Sequence, residues 1–145
     1  MEPLTDAGTQ LSPMQSEIGE LQRVLVHRPG RELERITPSN RAELLFEDIL
    51  WVERAQEEHD AFTEVLQDRG VHVEELQTLL GEALDVPAAR AQVLRSTLRA
   101  ATLGPRLEYE VGAWLESLPG DELAAWCIGG VAFADLPFAS SSFTA

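Results

Sequence analysis

The 145-residue sequence has a single cysteine, Cys127, and no lysine. One cysteine excludes an intrachain disulfide and fits a reducing compartment. No apolar run reaches the roughly 20 residues needed to span a bilayer. The opening Met1-Glu2-Pro3-Leu4-Thr5-Asp6 lacks the basic and apolar regions of a secretory leader. The expectation is a soluble, cytoplasmic protein with no membrane partner. Positive charge is scarce: the eleven basic residues are all arginine, a coding preference, and the net charge is −14. Phosphate backbones need a clustered positive field, so nucleic acid is excluded as a partner. The acidity reads as a solvated surface. Phosphate-binding loops, dinucleotide fingerprints and the G-x-S-x-G elbow are all missing. Glu57-Glu58-His59 has no second histidine four residues on, so the zinc-protease pattern fails and no metal is expected.

What is present suffices for a core, since 44% of the residues are apolar. Residues 1–15 are polar and aperiodic and read as a disordered tail, with order beginning at Ser16-Glu17-Ile18-Gly19. Arg23-Val24-Leu25-Val26-His27 is a short β-branched run closed by Arg28-Pro29-Gly30. It reads as a strand buried on both faces. A loop follows to Asn40, then a helix start at Thr37-Pro38, with Thr37 as cap and one turn reaching Leu44-Leu45-Phe46. From Asp48 to Arg69 the apolar residues Ile49, Val52, Ala55, Phe62, Val65 and Leu66 recur at helical spacing. Glu47 and Asp48 would meet the positive end of that helix dipole. Gly70 ends the helix, and Val71-His72-Val73 alternates as a second strand. Strand, helix and strand form a βαβ unit, which predicts parallel pairing.

After Glu75 the pattern becomes purely helical. Leu76, Leu79, Leu80, Ala83 and Leu84 form one stripe, and Pro87 opens another with Ala91, Leu94 and Leu98. Gly104-Pro105 precedes a third, with Leu107, Val111, Trp114, Leu115 and Leu118. Pro119-Gly120 leads to a fourth, capped by Asp121 and running from Glu122 to Ile128 before Gly129-Gly130. The expectation is a four-helix piece over about 75–130, then a tail from Asp135 to Ala145 with no packed element. Two strands rarely make an independent sheet, and a buried parallel pair needs neighbours on both edges. The sheet is therefore expected to be incomplete within this sequence.

Three histidines and the cysteine are the residues to weigh for chemistry. His27, at a strand end, lies where α/β sheets place sites, but it also suits a turn lining. His59 shares the apolar stripe of the long helix and reads as an interface histidine. His72 alternates with apolar neighbours and should face solvent or a covering helix. Cys127 sits in Ala124-Ala125-Trp126-Cys127-Ile128 near a helix C-terminus, far from any positive partner in sequence. It reads as a buried structural thiol. Trp51, Trp114 and Trp126, placed on three helices, read as core anchors.

The phrase Ser16-Glu17-Ile18-Gly19-Glu20-Leu21, followed by the strand and Pro29-Gly30, resembles the opening of bacterial arginine deiminases. Ile36-Thr37-Pro38 with Glu43-Leu44-Leu45-Phe46-Glu47-Asp48 is similar to the family's "LTP…ELLFDD" segment. Ala55 through Glu58-His59-Asp60 to Phe62 is similar to its "A-x-x-EHD-x-F" helix. Trp114-Leu115-Glu116-Ser117-Leu118 and Ile128-Gly129-Gly130-Val131 through Asp135-Leu136-Pro137 resemble its helical insertion. The likeness covers residues 16 to about 138, in order.

That resemblance implies an α/β fold, a partial pentein (α/β propeller). Residues 16–75 would be a strand-helix-strand segment of the first module, 76–136 an inserted all-α helical subdomain, and 137–145 a truncated tail. The implied function is hydrolysis of free L-arginine to L-citrulline and ammonia, with no cofactor and a homo-oligomeric full-length enzyme. In the family a cysteine thiolate attacks the guanidinium carbon and ammonia leaves. A histidine-activated water then hydrolyses the thiouronium intermediate, while acidic side chains grip the planar guanidinium bidentately. The family's nucleophilic cysteine, catalytic histidine, acidic residues and "PN-x-x-FTRD" motif follow the helical insertion, so none is expected here. Cys127 falls inside the insertion and is not the nucleophile. The only substrate contact the resemblance carries over is Leu45, which core packing would equally explain. Two alternatives remain at this point: another guanidine-modifying pentein enzyme, and a non-catalytic acidic helical interaction module.

Overall fold

Strand β1 (Arg23–Val26) and strand β2 (His72–Glu75) pair in parallel, as the strand-helix-strand pattern predicts. A computed structural model of the chain describes residues 18–100 and 103–138, excluding the side chains of 99 and 100. The polar stretch 1–15, the start of order at Ser16 and the residues after 138 lie outside the described residues. The two-stranded sheet aligns Arg23 with His72 and Val26 with Glu75. Burial on both faces of β1 does not occur: Leu25 is 56% exposed. Two strands give each other one edge and leave the faces to whatever layer covers them, and here little does.

Between the strands the structure departs from the periodicity. Helix α1 (Arg31–Glu34) occupies the stretch read as a loop. Residues 38–45 wind through hydrogen-bonded turns rather than a helix. Thr37 does not act as a helix cap. Its N–H donates to Asn40 Oδ1 at 2.7 Å, and its hydroxyl bonds that of Ser39 at 2.9 Å. The Thr37 hydroxyl is thus engaged with Ser39 rather than with a backbone N–H of the following turn. The long helix, α2 (Val52–Asp68), starts at Val52 with Trp51 at its N-cap. Glu47 and Asp48 precede it, and Asp48 Oδ1 accepts the neighbouring Ile49 N–H at 2.8 Å. No residue of α2 is fully buried, although the His59 side chain is largely enclosed. Its main neighbour is β2, so its apolar stripe, including Phe62 and Val65, stays exposed. Trp51 is 71% exposed and anchors no core.

The helices α3 (Leu76–Leu84), α4 (Pro87–Ala100), α5 (Pro105–Ser117) and α6 (Gly120–Gly129) follow where the stripes place them. Leu84, Leu94, Val111, Leu115, Leu123, Ala124 and Leu136 form the buried cluster. Leu84 and Leu123 are fully enclosed, which stabilises the fold by about 1.5–3 kcal/mol for each such side chain. Trp114 and Trp126 meet edge to face, 5.2 Å between ring centroids, and both pack against this cluster. Pro119, not Asp121, holds the N-cap of α6, with its carbonyl accepting the Leu123 N–H. Asp121 lies inside the first turn, where its charge still complements the dipole. α3 and α6 cross closely because Gly120 has no side chain: a Cβ there would fall 2.4 Å from Asp85 Oδ1 and 2.5 Å from the Gly81 carbonyl.

The segment after α6 is packed, contrary to the expectation of a loose tail from Asp135. Phe133–Asp135 makes one 3-10 turn, Leu136 is buried, and Phe138 packs against the core. The same region is bound to α1. Arg35 donates to the carbonyls of Gly129 and Gly130 at 3.2 and 3.0 Å, and the Arg31 guanidinium lies 4.0 Å above the Trp126 ring. The sheet segment and the helices are therefore joined through α1.

Candidate functional site

The C-terminal ends of β1 and β2 gather the densest polar group among the described residues. His27 directly follows β1. Its Nε2 lies 3.1 Å from Glu32 Oε1 on α1, and its Nδ1 lies 3.7 Å from Glu75 Oε1 at the end of β2. A carboxylate only accepts, so Nε2 carries the hydrogen in the shorter contact. Glu32 Oε1 also accepts the Gly30 N–H at 2.7 Å, and Glu75 Oε1 accepts the Arg28 N–H at 2.7 Å. The turn that follows β1 is thus held from both sides by acidic side chains, one from each flanking element.

Arg28 extends this group to α2. Its Nε and one terminal nitrogen donate to the two oxygens of Asp60 at 2.7 and 2.9 Å, the paired geometry that a planar guanidinium favours. Hydrogen bonding to Arg28 holds the Asp60 carboxyl below its usual range, and the same contact with Asp60 raises the Arg28 guanidinium. Gln56 Nε2 donates to the Pro29 carbonyl at 2.8 Å. The strand-end loop is consequently fastened to α2 at two points one helical turn apart.

His59 is largely buried beside this group and meets Phe62 edge-on at 6.5 Å, and neither of its ring nitrogens makes a hydrogen bond. The 3.9 Å between His59 Nδ1 and Asp60 Oδ1 is too long for one. His59 is thus an enclosed side chain on the apolar face of α2, as its place on that stripe predicts, but not part of the buried core cluster. His72 is exposed and bonds Glu74 at 2.7 Å, matching its expected outward direction.

Leu45 stands apart from the strand-end group. It adopts φ 63°, the sole positive-φ residue other than glycine among those described. The Phe46 N–H reaches the Arg41 carbonyl and the Leu45 N–H the Ala42 carbonyl. This pair of bonds is the Schellman closure, in which the left-handed position is normally glycine. A leucine there costs roughly 1–2 kcal/mol. Leu45 packs against no core among the described residues, where it is 91% exposed. Leu44, Ile49, Leu50 and Trp51 are exposed around it in sequence.

Cys127 is half-buried, and desolvation pushes its thiol above the ordinary value. No cationic group is among the causes of that shift, so the thiol is not activated as a nucleophile. No group of three or more histidine, cysteine or acidic side chains among the described residues could hold a metal ion. No helix of the described residues is long and apolar enough to cross a membrane.

The structure thus unites His27 with Glu32, Glu75, Arg28, Asp60 and Gln56, and leaves Leu45 and Cys127 elsewhere. Sequence reasoning about chemistry singled out only His27 of this set. Asp60 did stand in the Glu58-His59-Asp60 phrase, but Glu32 lay in a stretch read as loop and Glu75 at a strand boundary. Chemically, the group lacks a nucleophile, and its short contacts are all internal. It fixes the shape of the loop after β1.

Comparison with known proteins assigns this architecture a family. A family model described as arginine deiminase matches residues 42–138. Curated arginine deiminases from Rhodococcus opacus (strain B4) and Rhodococcus jostii (strain RHA1) are each 45% identical over 128 residues, 88% of this chain and 32% of the relative. One from Mycolicibacterium gilvum (strain PYR-GCK) is 45% identical over 130 residues, 89% of this chain and 32% of the relative. The chain therefore spans about a third of the length of the curated relatives it matches.

Proposed function

The chain belongs to the arginine deiminase family, and from that premise we propose that it is the N-terminal part of an enzyme hydrolysing L-arginine to L-citrulline and ammonia. The observation that carries this reading is the 45% identity running through nearly nine-tenths of the chain. In this reading 16–75 is part of the first module of a pentein propeller and 76–136 is the inserted helical subdomain. The exposed faces of α2 and of Leu25 on β1 support it, because a buried parallel sheet requires further layers. The whole enzyme works in the cytoplasm as a homo-oligomer, without nucleic acid or membrane as partner.

The chain supplies scaffold and one wall of the substrate site, and the nucleophile is supplied by sequence beyond these residues. Cys127, its one cysteine, is uncharged by environment and sits among apolar side chains. Leu45 is the substrate contact. A leucine held at positive φ and almost fully exposed stabilises nothing locally, and such strain is retained where it positions a functional group. The strand-end group around His27 and Glu75 fixes the turn after β1.

The test is citrulline formation from L-arginine by the 145-residue chain and by the same chain joined in frame to the remaining two thirds of the Rhodococcus opacus relative. The joined protein should be active, the short chain inactive, and Cys127→Ala in the joined protein should retain activity. Citrulline from the short chain, abolished by Cys127→Ala, would overturn the assignment.

A further inference from the structure

A half-open pocket of about 250 Å³ lies among α4, α5, α6 and the 3-10 turn. Its wall includes Leu98 of α4, Leu107 and Leu115 of α5, Trp126 and Cys127 of α6, and Phe133. None of its described lining residues carries a charge, in a chain whose net charge is −14. The cavity shares no residue with the strand-end group or with the Leu45 turn, and nothing proposed for the deiminase reaction uses it.

Its wall is held in place from outside. Trp114 meets the Trp126 ring edge-on, and the Arg31 guanidinium lies 4.0 Å from its centroid. Both contacts are attractive, through the ring quadrupole and through the cation above its face. The indole is therefore not free to collapse into the space. Phe133 lies at the rim, more than half exposed, on a single turn fixed by Asp135. A water here would find few partners: among the described lining side chains only the Thr97 hydroxyl, the Trp126 indole N–H and the Cys127 thiol are polar. Apolar cavities of about 150 Å³ lined by aliphatic and aromatic side chains stay dry and take up benzene. A cavity of this volume has room for a fused second ring.

We infer that this cavity is a binding site for a neutral aromatic molecule of one or two rings, seated between Leu98, Leu107 and Leu115 and the Trp126–Cys127 edge of α6. Aromatic edge contacts and the polarisable sulfur favour a ring over a flexible chain. A charged ligand would be desolvated with no partner, so the site discriminates strongly against anions and cations of the same shape.

The experiment is a calorimetric titration of the 145-residue chain with indole, beside indole-2-carboxylate as the charged analogue. Indole should saturate at one per chain, and the carboxylate should bind about tenfold or more weakly. Cys127→Phe, which fills the cavity from its wall, should abolish binding, whereas Cys127→Ala should keep it. If Cys127→Phe fails to fold, Ala132→Leu fills the space from the opposite wall. Indole should also slow alkylation of Cys127 by N-ethylmaleimide several-fold. Absence of saturable indole binding, equal binding of the carboxylate, or binding that survives a folded filling variant would overturn the proposal.

Discussion

Arg35 and Asp135, one hundred residues apart in sequence, meet at 2.6 Å between guanidinium nitrogen and carboxylate oxygen. The same carboxylate oxygen accepts the Ala132 N–H at 2.7 Å, while Arg35 also holds two carbonyls at the end of α6. This one pair therefore closes the chain: it ties the segment after β1 to the segment after the last helix.

The Arg35 contact holds the Asp135 carboxyl below its ordinary value of 3.8, with the Ala132 hydrogen bond adding to the effect. A carboxyl depressed on folding stabilises the native state above the unfolded value and loses that contribution as pH falls through the folded one. Asp135→Asn should therefore lower the melting temperature at neutral pH. The gap to the unsubstituted chain should close as pH falls below about 4. Thermal melts by circular dichroism between pH 7 and pH 3 measure it, and a gap independent of pH would show that the charge is irrelevant.

Gly120 predicts a steric cost. An alanine there must push its Cβ against the Gly81 carbonyl, at 2.5 Å, and the Asp85 carboxylate, at 2.4 Å. The carboxylate can swing away, but the carbonyl belongs to α3 and moves only with that helix. Gly120→Ala should destabilise by about 1–3 kcal/mol, the usual cost of overpacking. By contrast Gly104→Ala, at a negative φ with nothing among the described residues within 4 Å of the new methyl, should change stability little. Urea unfolding of both variants distinguishes close approach from a generic glycine effect.

At Cys127, burial raises the thiol, so the thiolate population at neutral pH is small. Iodoacetamide alkylation should be slow at pH 7 and should accelerate through and beyond the ordinary cysteine range. Half-maximal rate near pH 7 would instead reveal an activating cation, and the exclusion of Cys127 from nucleophilic chemistry would fail.

The helical half was legible from sequence because its own side chains bury each other. Leu84, Val111, Leu115 and Leu123 pack within the chain, so the 3.6-residue period translated directly into helices. The parallel pairing of β1 and β2 was legible for a similar reason, since a helix of this length between two short strands permits little else. The α2 stripe was legible as a helix but misleading as to burial. Periodicity records which face is meant to be covered, not whether the cover lies in the same stretch of sequence. Local competition defeated the reading of 37–51. The turns that begin at Thr37 are closed by the left-handed Leu45, Asp48 takes the Ile49 N–H, and the helix waits until Val52. The strand-end group was mostly illegible, because Glu32, Asp60 and Glu75 converge on the loop at 27–30 from three elements, a meeting that spacing along the chain does not encode.

Leu45 offers the prediction that separates stability from function. At φ 63° a glycine is relieved of the Cβ clash that leucine bears, although glycine returns part of the gain as extra freedom of the unfolded chain. Leu45→Gly should therefore stabilise the isolated chain by about 0.5–1 kcal/mol. Little is lost in packing, since the side chain is almost wholly exposed. In the protein joined to the remaining two thirds of its relative, the proposed role of Leu45 as a substrate wall predicts that the same substitution raises KM for L-arginine. A rise in KM together with a higher melting temperature is the signature of strain retained for binding. A lower melting temperature with unchanged KM would mean that Leu45 is held in place by packing in the complete fold, and the substrate role would pass to another residue.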